Sequence, residues 1–162
     1  MQETTLVYAL VGALAIALLT AAFTDIRRRQ IDNWLNAAIA LVAPLYWWAQ
    51  GLALWPDVAM QIGVALLAFV VLAGLFALKA MGGGDVKLLT ALALWLPAQL
   101  FLKMLLVMSI AGGVLTLVLG AWYITRRQRD KIKIPYGVAI AGAGLWALSP
   151  QLTAAFRAVG FQ

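Results

Sequence analysis

The chain has 162 residues, 65% of them hydrophobic and 11% charged, with a formal net charge of +6 and neither Cys nor His. Soluble proteins carry roughly 25% charged residues, so an ordinary soluble domain is excluded. The missing Cys and His also exclude disulfides, thiol nucleophiles, Ser-His-Asp triads and thiolate- or imidazole-bound zinc. The basic excess reads as membrane orientation and contact with anionic lipid, not as nucleic-acid binding.

A hydrocarbon core of about 30 Å takes roughly 20 apolar residues per helix. Residues 5–24, 34–54, 58–78 and 101–124 meet that length. Residues 85–100, interrupted by Pro97, and 136–149, stopping at Pro150, are shorter. The expectation is an all-α, polytopic integral membrane protein with about six transmembrane helices, in a single domain over residues 1–162. No basic segment precedes the first apolar stretch, so a cleaved signal peptide is not expected.

The loops carry the charge. Arg27, Arg28 and Arg29 follow the first span; Lys79 and Lys87 flank the third loop; Arg126, Arg127, Arg129, Lys131 and Lys133 crowd the fifth. Only Lys103 and Arg157 fall on the other side. The positive-inside rule then puts those three loops in the cytoplasm and both termini outside. Trp47, Trp48 and Trp55 are expected as anchors at the outer interface. Gly12, Gly63, Gly74, Gly112, Gly113, Gly142 and Gly144 lie within spans, where small residues let helices approach closely.

One stretch organises the rest: residues 79–89, Lys-Ala-Met-Gly-Gly-Gly-Asp-Val-Lys-Leu-Leu. A carboxylate beside a membrane-spanning segment is costly and is a functional-site hypothesis by default. Three glycines are expected to take positive φ and admit close neighbours, with Asp85 opening the next helix. The bland alternative is a capped turn worth about 1 kcal/mol. Asp25 changes that balance. It closes the first span, and the topology puts it at the same membrane boundary as Asp85.

Elimination points the same way. The only serines, Ser109 and Ser149, lie toward the side opposite Lys79 and Lys87, which leaves no Ser–Lys dyad. No metal site is expected, since carboxylates are few. Asp32 and Asp130 have cationic neighbours and read as solvated charges; Asp57 follows Pro56 as turn chemistry. What remains is an aspartate pair sharing one proton, able to activate water and protonate a leaving amine without a cofactor. Asp25 and Asp85 are that pair.

Three segments carry a family resemblance. They are Thr24-Asp25-Ile26-Arg27-Arg28-Arg29-Gln30-Ile31-Asp32-Asn33-Trp34-Leu35, then Gly82-Gly83-Gly84-Asp85-Val86-Lys87-Leu88, then Lys133-Ile134-Pro135-Tyr136-Gly137. In this order they resemble the type IV prepilin peptidases, within the Gly-x-Gly-Asp intramembrane aspartyl proteases. The resemblance implies that Asp25 and Asp85 are catalytic. It implies that Gly82, Gly83, Gly84, Lys87, Pro135, Tyr136 and Gly137 shape the site or bind substrate. It also implies cleavage of the basic leader of a prepilin or pseudopilin, after a glycine, at the cytoplasmic face of a bacterial inner membrane. The chain departs from the family in having Asp32 where Pro is common, and in lacking the Cys-bearing cytoplasmic domain of larger members. It is similar to the short members of tight-adherence (Flp) pilus systems, and N-methylation is not implied. Valine at Gly84 is expected to cripple such an enzyme by resisting positive φ.

The competing class is a small membrane carrier or pilus-assembly scaffold, with Asp85 a helix cap and Asp25 a proton or cation site. A carrier puts its polar groups near the bilayer midplane; here the acidic residues lie at boundaries.

Overall fold

The computed structural model describes residues 2–125, 136–158 and 160. Six α-helices follow one another: α1 (Gln2–Arg28), α2 (Asn33–Ala49), α3 (Ala59–Ala77), α4 (Gly83–Ala93), α5 (Ala98–Thr125) and α6 (Tyr136–Ala158). Among the described residues there is no strand. Four stretches, Thr4–Arg28, Leu54–Ala77, Ala98–Trp122 and Tyr136–Ala158, are long and apolar enough to cross a membrane. The chain is an all-α membrane protein. The second and fourth expected spans are shorter than the sequence suggests, with 17 residues in α2 and 11 in α4. At 1.5 Å per residue, α4 is about 16 Å long, roughly half a hydrocarbon core.

Local chemistry sets these lengths. α2 stops at Ala49 because Gly51 turns left-handed (φ 67°). The N–H of Gly51 then donates to Trp48 O (3.0 Å) and that of Leu52 to Trp47 O (3.0 Å), which is a Schellman stop. α6 does the opposite and runs through Pro150 to Ala158. A proline leaves the carbonyl four residues earlier without its N–H partner. Here that carbonyl is Trp146 O, and it accepts from Ser149 Oγ at 2.7 Å. The sixth helix therefore does not end where the sequence suggests.

α4 is the buried member. α1 packs along α6, α5 packs on α6, and α4 sits against α2 and α3 with further contacts to α5 and α6. Leu88, Leu89 and Leu92 have no exposed surface. Ending a helix inside a protein leaves carbonyls that need donors. Gln61 Nε2 on α3 serves two of them, Ala93 O at 3.1 Å and Leu96 O at 2.7 Å. Trp47 Nε1 on α2 serves a third, Leu94 O, at 2.7 Å. Trp47 is therefore buried inside the bundle and is not an interface anchor, whereas Trp48 and Trp55 are exposed. Trp95, just past α4, stacks on Tyr46 (4.8 Å between centroids) and donates its Nε1 to Ile39 O at 2.9 Å.

α3 and α5 turn broad apolar faces outward, including Leu66, Leu67 and Val70 on one and Leu106, Leu117 and Val118 on the other. Such surface belongs against lipid tails. Of the seven in-span glycines, two make close approaches: a Cβ on Gly144 would stand 2.8 Å from Leu18 Cδ1, and one on Gly112 would stand 3.1 Å from the Tyr136 ring. Gly12, Gly63, Gly74, Gly113 and Gly142 face open space, so close packing does not account for them.

Gln61→Leu leaves two buried carbonyls at the end of α4 without a donor, at about 1–3 kcal/mol. A thermal midpoint several degrees lower in detergent is expected, with Gln99→Leu on the exposed start of α5 as the unchanged control. Equal midpoints for the two variants would show that α4 does not depend on that clamp.

Candidate active site

The helices alternate in direction, so the C-terminal ends of α1 and α3 meet the N-terminal ends of α2, α4 and α6 at one end of the bundle. A cavity of about 820 Å³ opens there, within the range typical of ligand sites. Asp25 and Asp85 both line it, with Arg29, Lys79, Lys87 and Tyr136. The three glycines and the 30–33 loop complete its wall.

Asp25 lies in the last turn of α1 and is only 7% exposed. A negative charge at a helix C-terminus opposes the macrodipole, so helix stability does not account for an acid there. Its support comes from another helix. The Gly137 N–H, at the start of α6, donates to Asp25 Oδ2 at 2.8 Å. That N–H belongs to the first turn, where backbone donors have no partner within their own helix. A Cβ on Gly137 would lie 2.8 Å from Oδ2 and 2.9 Å from the Asp25 Cβ, so only glycine fits.

Asp85 is held by the same device. The N-cap of α4 is Gly82, not Asp85, which stands three residues later in the first turn. The carboxylate reaches back to the Gly82 backbone, half of a capping box. A Cβ on Gly82 would stand 2.9 Å from Asp85 Oδ2. Asp85 lies outside the four long spans, and its carboxyl is pushed up to about 6. Burial is the main cause, the nearby Asp25 charge adds to it, and the Gly82 hydrogen bond opposes it. A helix cap alone explains a lone Asp85. It does not explain Asp25 placed close enough to raise it.

The glycine run works differently from the expectation. Gly82 is extended (φ −74°, ψ 145°), and the positive-φ glycines among the described residues are Gly51 and Gly160. The run is needed for close approach instead. A Cβ on Gly83 would meet the Phe76 ring at 3.3 Å, and one on Gly84 would meet Ile31 Cβ at 3.3 Å. Valine at Gly84 stays disfavoured, by contact with Ile31 and not by φ. The left-handed backbone near the cavity belongs to Arg29 (φ 54°) and Lys79 (φ 60°), one residue past α1 and two past α3. This costs a non-glycine residue about 1–2 kcal/mol. It lets α1 and α3 stop abruptly and turn two cationic residues onto the cavity wall.

Of the residues singled out in the sequence, Asp25, Gly82, Gly83, Gly84, Asp85, Lys87 and Tyr136 line this cavity, and Gly137 stands directly behind Asp25. Lys87 Nζ donates to Asn33 Oδ1 at 2.8 Å. Pro135 lies outside the described residues, as do Asp130 and the basic cluster of the fifth loop. Asp32 lines the cavity but stands 4.0 Å from Arg28, a charge with a cationic neighbour as expected. Asp57 Oδ2 accepts from the Ala53 N–H at 3.1 Å, which is turn chemistry far from the cavity. Ser109 and Ser149 bond back to their own helices. No group of three or more metal-ligating side chains comes together among the described residues. Sequence reasoning missed Asn33 and Asn36; their signal was two carboxamides three residues apart opening an otherwise apolar helix.

Two adjoining carboxylates in a polar cavity can share a proton, activate water and protonate an amine. Gly137→Ala is expected to displace Asp25 and cut peptide hydrolysis by at least about a hundredfold, while Gly142→Ala, facing open space, changes little. Cleavage assays on both variants, normalised to membrane-inserted protein, check this; full activity in Gly137→Ala would show that Asp25 does not need its seat.

A model of the type IV leader peptidase family matches residues 12–117, a stretch that includes Asp25 and the Gly82–Asp85 loop and ends before Tyr136 and Gly137. No curated protein and no solved structure matches the chain. With two carboxylates seated in one cavity of an all-helical membrane protein, and a match over most of its length, the chain belongs to the type IV leader peptidase family.

Proposed function

We propose that the chain is an intramembrane aspartyl endopeptidase that removes the basic leader of Flp-like type IV prepilins or pseudopilins, with Asp25 and Asp85 as its catalytic pair. One observation carries the reading: the pair shares a cavity, and each member is seated against a helix-start glycine that a side chain would disturb. The pair holds one shared proton; the protonated member polarises the scissile carbonyl. The ionised member takes a proton from water as the water oxygen bonds to the carbonyl carbon. When the C–N bond breaks, the pair delivers one proton to the amine nitrogen and returns to one shared proton. Gly82, Gly83, Gly84, Gly137, Tyr136 and Lys87 shape the cavity around the substrate backbone, and Pro135, next to Tyr136 in the sequence, belongs to the same set by the family resemblance.

The cavity end carries Arg27, Arg28, Arg29, Lys79 and Lys87, whereas Lys103 and Arg157 lie near the opposite ends of α5 and α6. This supports a cytoplasmic cavity in the bacterial inner membrane, both termini outside, and six passes in which α2 and α4 are the short members. The outward apolar faces of α3 and α5 make membrane lipid the surrounding partner.

Co-expression with a prepilin having a basic leader, a glycine and an apolar helix is expected to give a gel shift. Asp25→Asn and Asp85→Asn are each expected to reduce cleavage at least about a hundredfold while the protein stays in the membrane. Substantial cleavage by either variant removes that residue from the pair. In reconstituted enzyme, kcat/KM is expected to fall as pH rises through about 6, because the pair, with its raised Asp85 carboxyl, then loses its shared proton. A profile flat from pH 5.5 to about 8 would assign the shared proton elsewhere.

A further inference from the structure

A second opening leaves the cavity and runs down between α2 and α3. It encloses about 290 Å³ and has an almost wholly apolar lining. α4 forms its floor and packs against both α2 and α3, whereas α2 and α3 scarcely touch each other. Its walls are Asn36, Ala37 and Ala40 on α2, Ala91 on α4 with Leu94 just past it, and Phe69 on α3. The α2 and α4 positions recur at three- and four-residue spacing, so each helix offers one continuous stripe. Asn33 and Lys87, hydrogen-bonded to each other, belong to both openings. The groove is a branch of the active-site cavity, and the rise along α2 from Asn33 to Ala40 gives it a length of about 10 Å.

Of the polar residues that line the groove, Asn33, Asn36, Lys87 and Thr90, Asn36 is the buried one. Asn36 is 4% exposed, and its Nδ2 donates to Gly84 O at 3.4 Å. Its Oδ1 is buried and has no hydrogen-bond partner. A buried polar atom left unpaired costs about 1–3 kcal/mol. An acyl chain entering the groove would leave that acceptor orphaned, and a peptide N–H would satisfy it. Small residues on the floor and wall let a backbone come close.

We propose that this groove receives the apolar segment of the substrate next to the scissile bond, and that Asn36 accepts a backbone N–H from it. The proposal rests on the peptidase reading above and assigns its substrate seat. Entry parts the Lys87–Asn33 bridge at the rim. Because the Asn36 carboxamide also holds Gly84, the filled groove is tied to the loop that carries Asp85. Asn36 is thus a substrate-binding and positioning residue.

The test is a photo-crosslinker, Ala37→p-benzoyl-phenylalanine, in full-length membrane-inserted protein carrying Asp85→Asn, offered the prepilin used above. Wild-type cleavage of that prepilin is measured alongside. The same probe at Leu117, on the exposed face of α5, is the control. An adduct at Ala37 that maps to the apolar segment beside the cut, and none at Leu117, is expected. No adduct with a prepilin that the wild type cleaves overturns the groove and leaves the peptidase standing. An adduct with phospholipid alone makes the groove a lipid seat and overturns the proposal. Neither cleavage nor adduct overturns both readings. Asn36→Leu in the active enzyme is expected to raise KM about tenfold, the loss of one hydrogen bond in binding, with a smaller fall in kcat from the loss of its bond to Gly84. A fall in kcat at constant KM would confine Asn36 to holding Gly84 and overturn the substrate contact.

Discussion

Everything at the site depends on one hydrogen bond between helices at opposite ends of the chain. Asp25 sits where its own helix repels it, at the negative end of α1, and the Gly137 N–H at the start of α6 holds it. The bond needs α1 and α6 in close register. That register comes from their long packing seam, in which Leu18 fills the space left by the missing side chain of Gly144. A carboxylate that its own helix disfavours and a neighbour supports is poorly suited to be a stabilising cap and well suited to chemistry. Asp85 has the reverse setting, at the positive end of α4, where the macrodipole favours its charge and burial opposes it.

Much of this was legible in the sequence, for definite reasons. Long apolar runs mark helices that face lipid, because lipid contact demands an unbroken apolar surface; α1, α3 and α5 follow that rule. Asp25 and Asp85 stood out because a carboxylate next to such a run is costly. What the sequence hid were effects of tertiary contact. Pro150 reads as a stop, yet Ser149 supplies the donor that lets α6 continue. Trp47 reads as an interface anchor, yet its indole N–H serves a carbonyl at the buried end of α4. The glycine run reads as a flexible turn, and its real use is to let Ile31, Phe76 and the Asp85 carboxylate approach. Glycine chosen for space and glycine chosen for φ are indistinguishable in one dimension. Gly51, which truly is left-handed, drew no notice because it sits in an ordinary loop.

The shortness of α4 has the same character. An 11-residue helix inside a membrane protein is tolerable only if its ends are satisfied by protein groups, since hydrocarbon offers none. Gln61 and Trp47 satisfy one end from α3 and α2; at the other end the cavity begins. The open space at that end of the bundle exists because α4 starts late and its neighbours stop early, at Arg29 and Lys79 in left-handed turns.

The arrangement divides the two aspartates between elements of different mechanical standing. Asp85 rides on an internal strut clamped by its neighbours and shielded from lipid. Asp25 rides on α1, a long helix packed along α6. Long spanning helices answer a thicker or thinner bilayer by tilting, at fractions of a kcal/mol per Å of mismatch. A short enclosed helix has no such response. A tilt of α1 that left α4 in place would change the relative height of the two carboxylates, so bilayer thickness is a variable that can reach the aspartate pair without any lipid touching it.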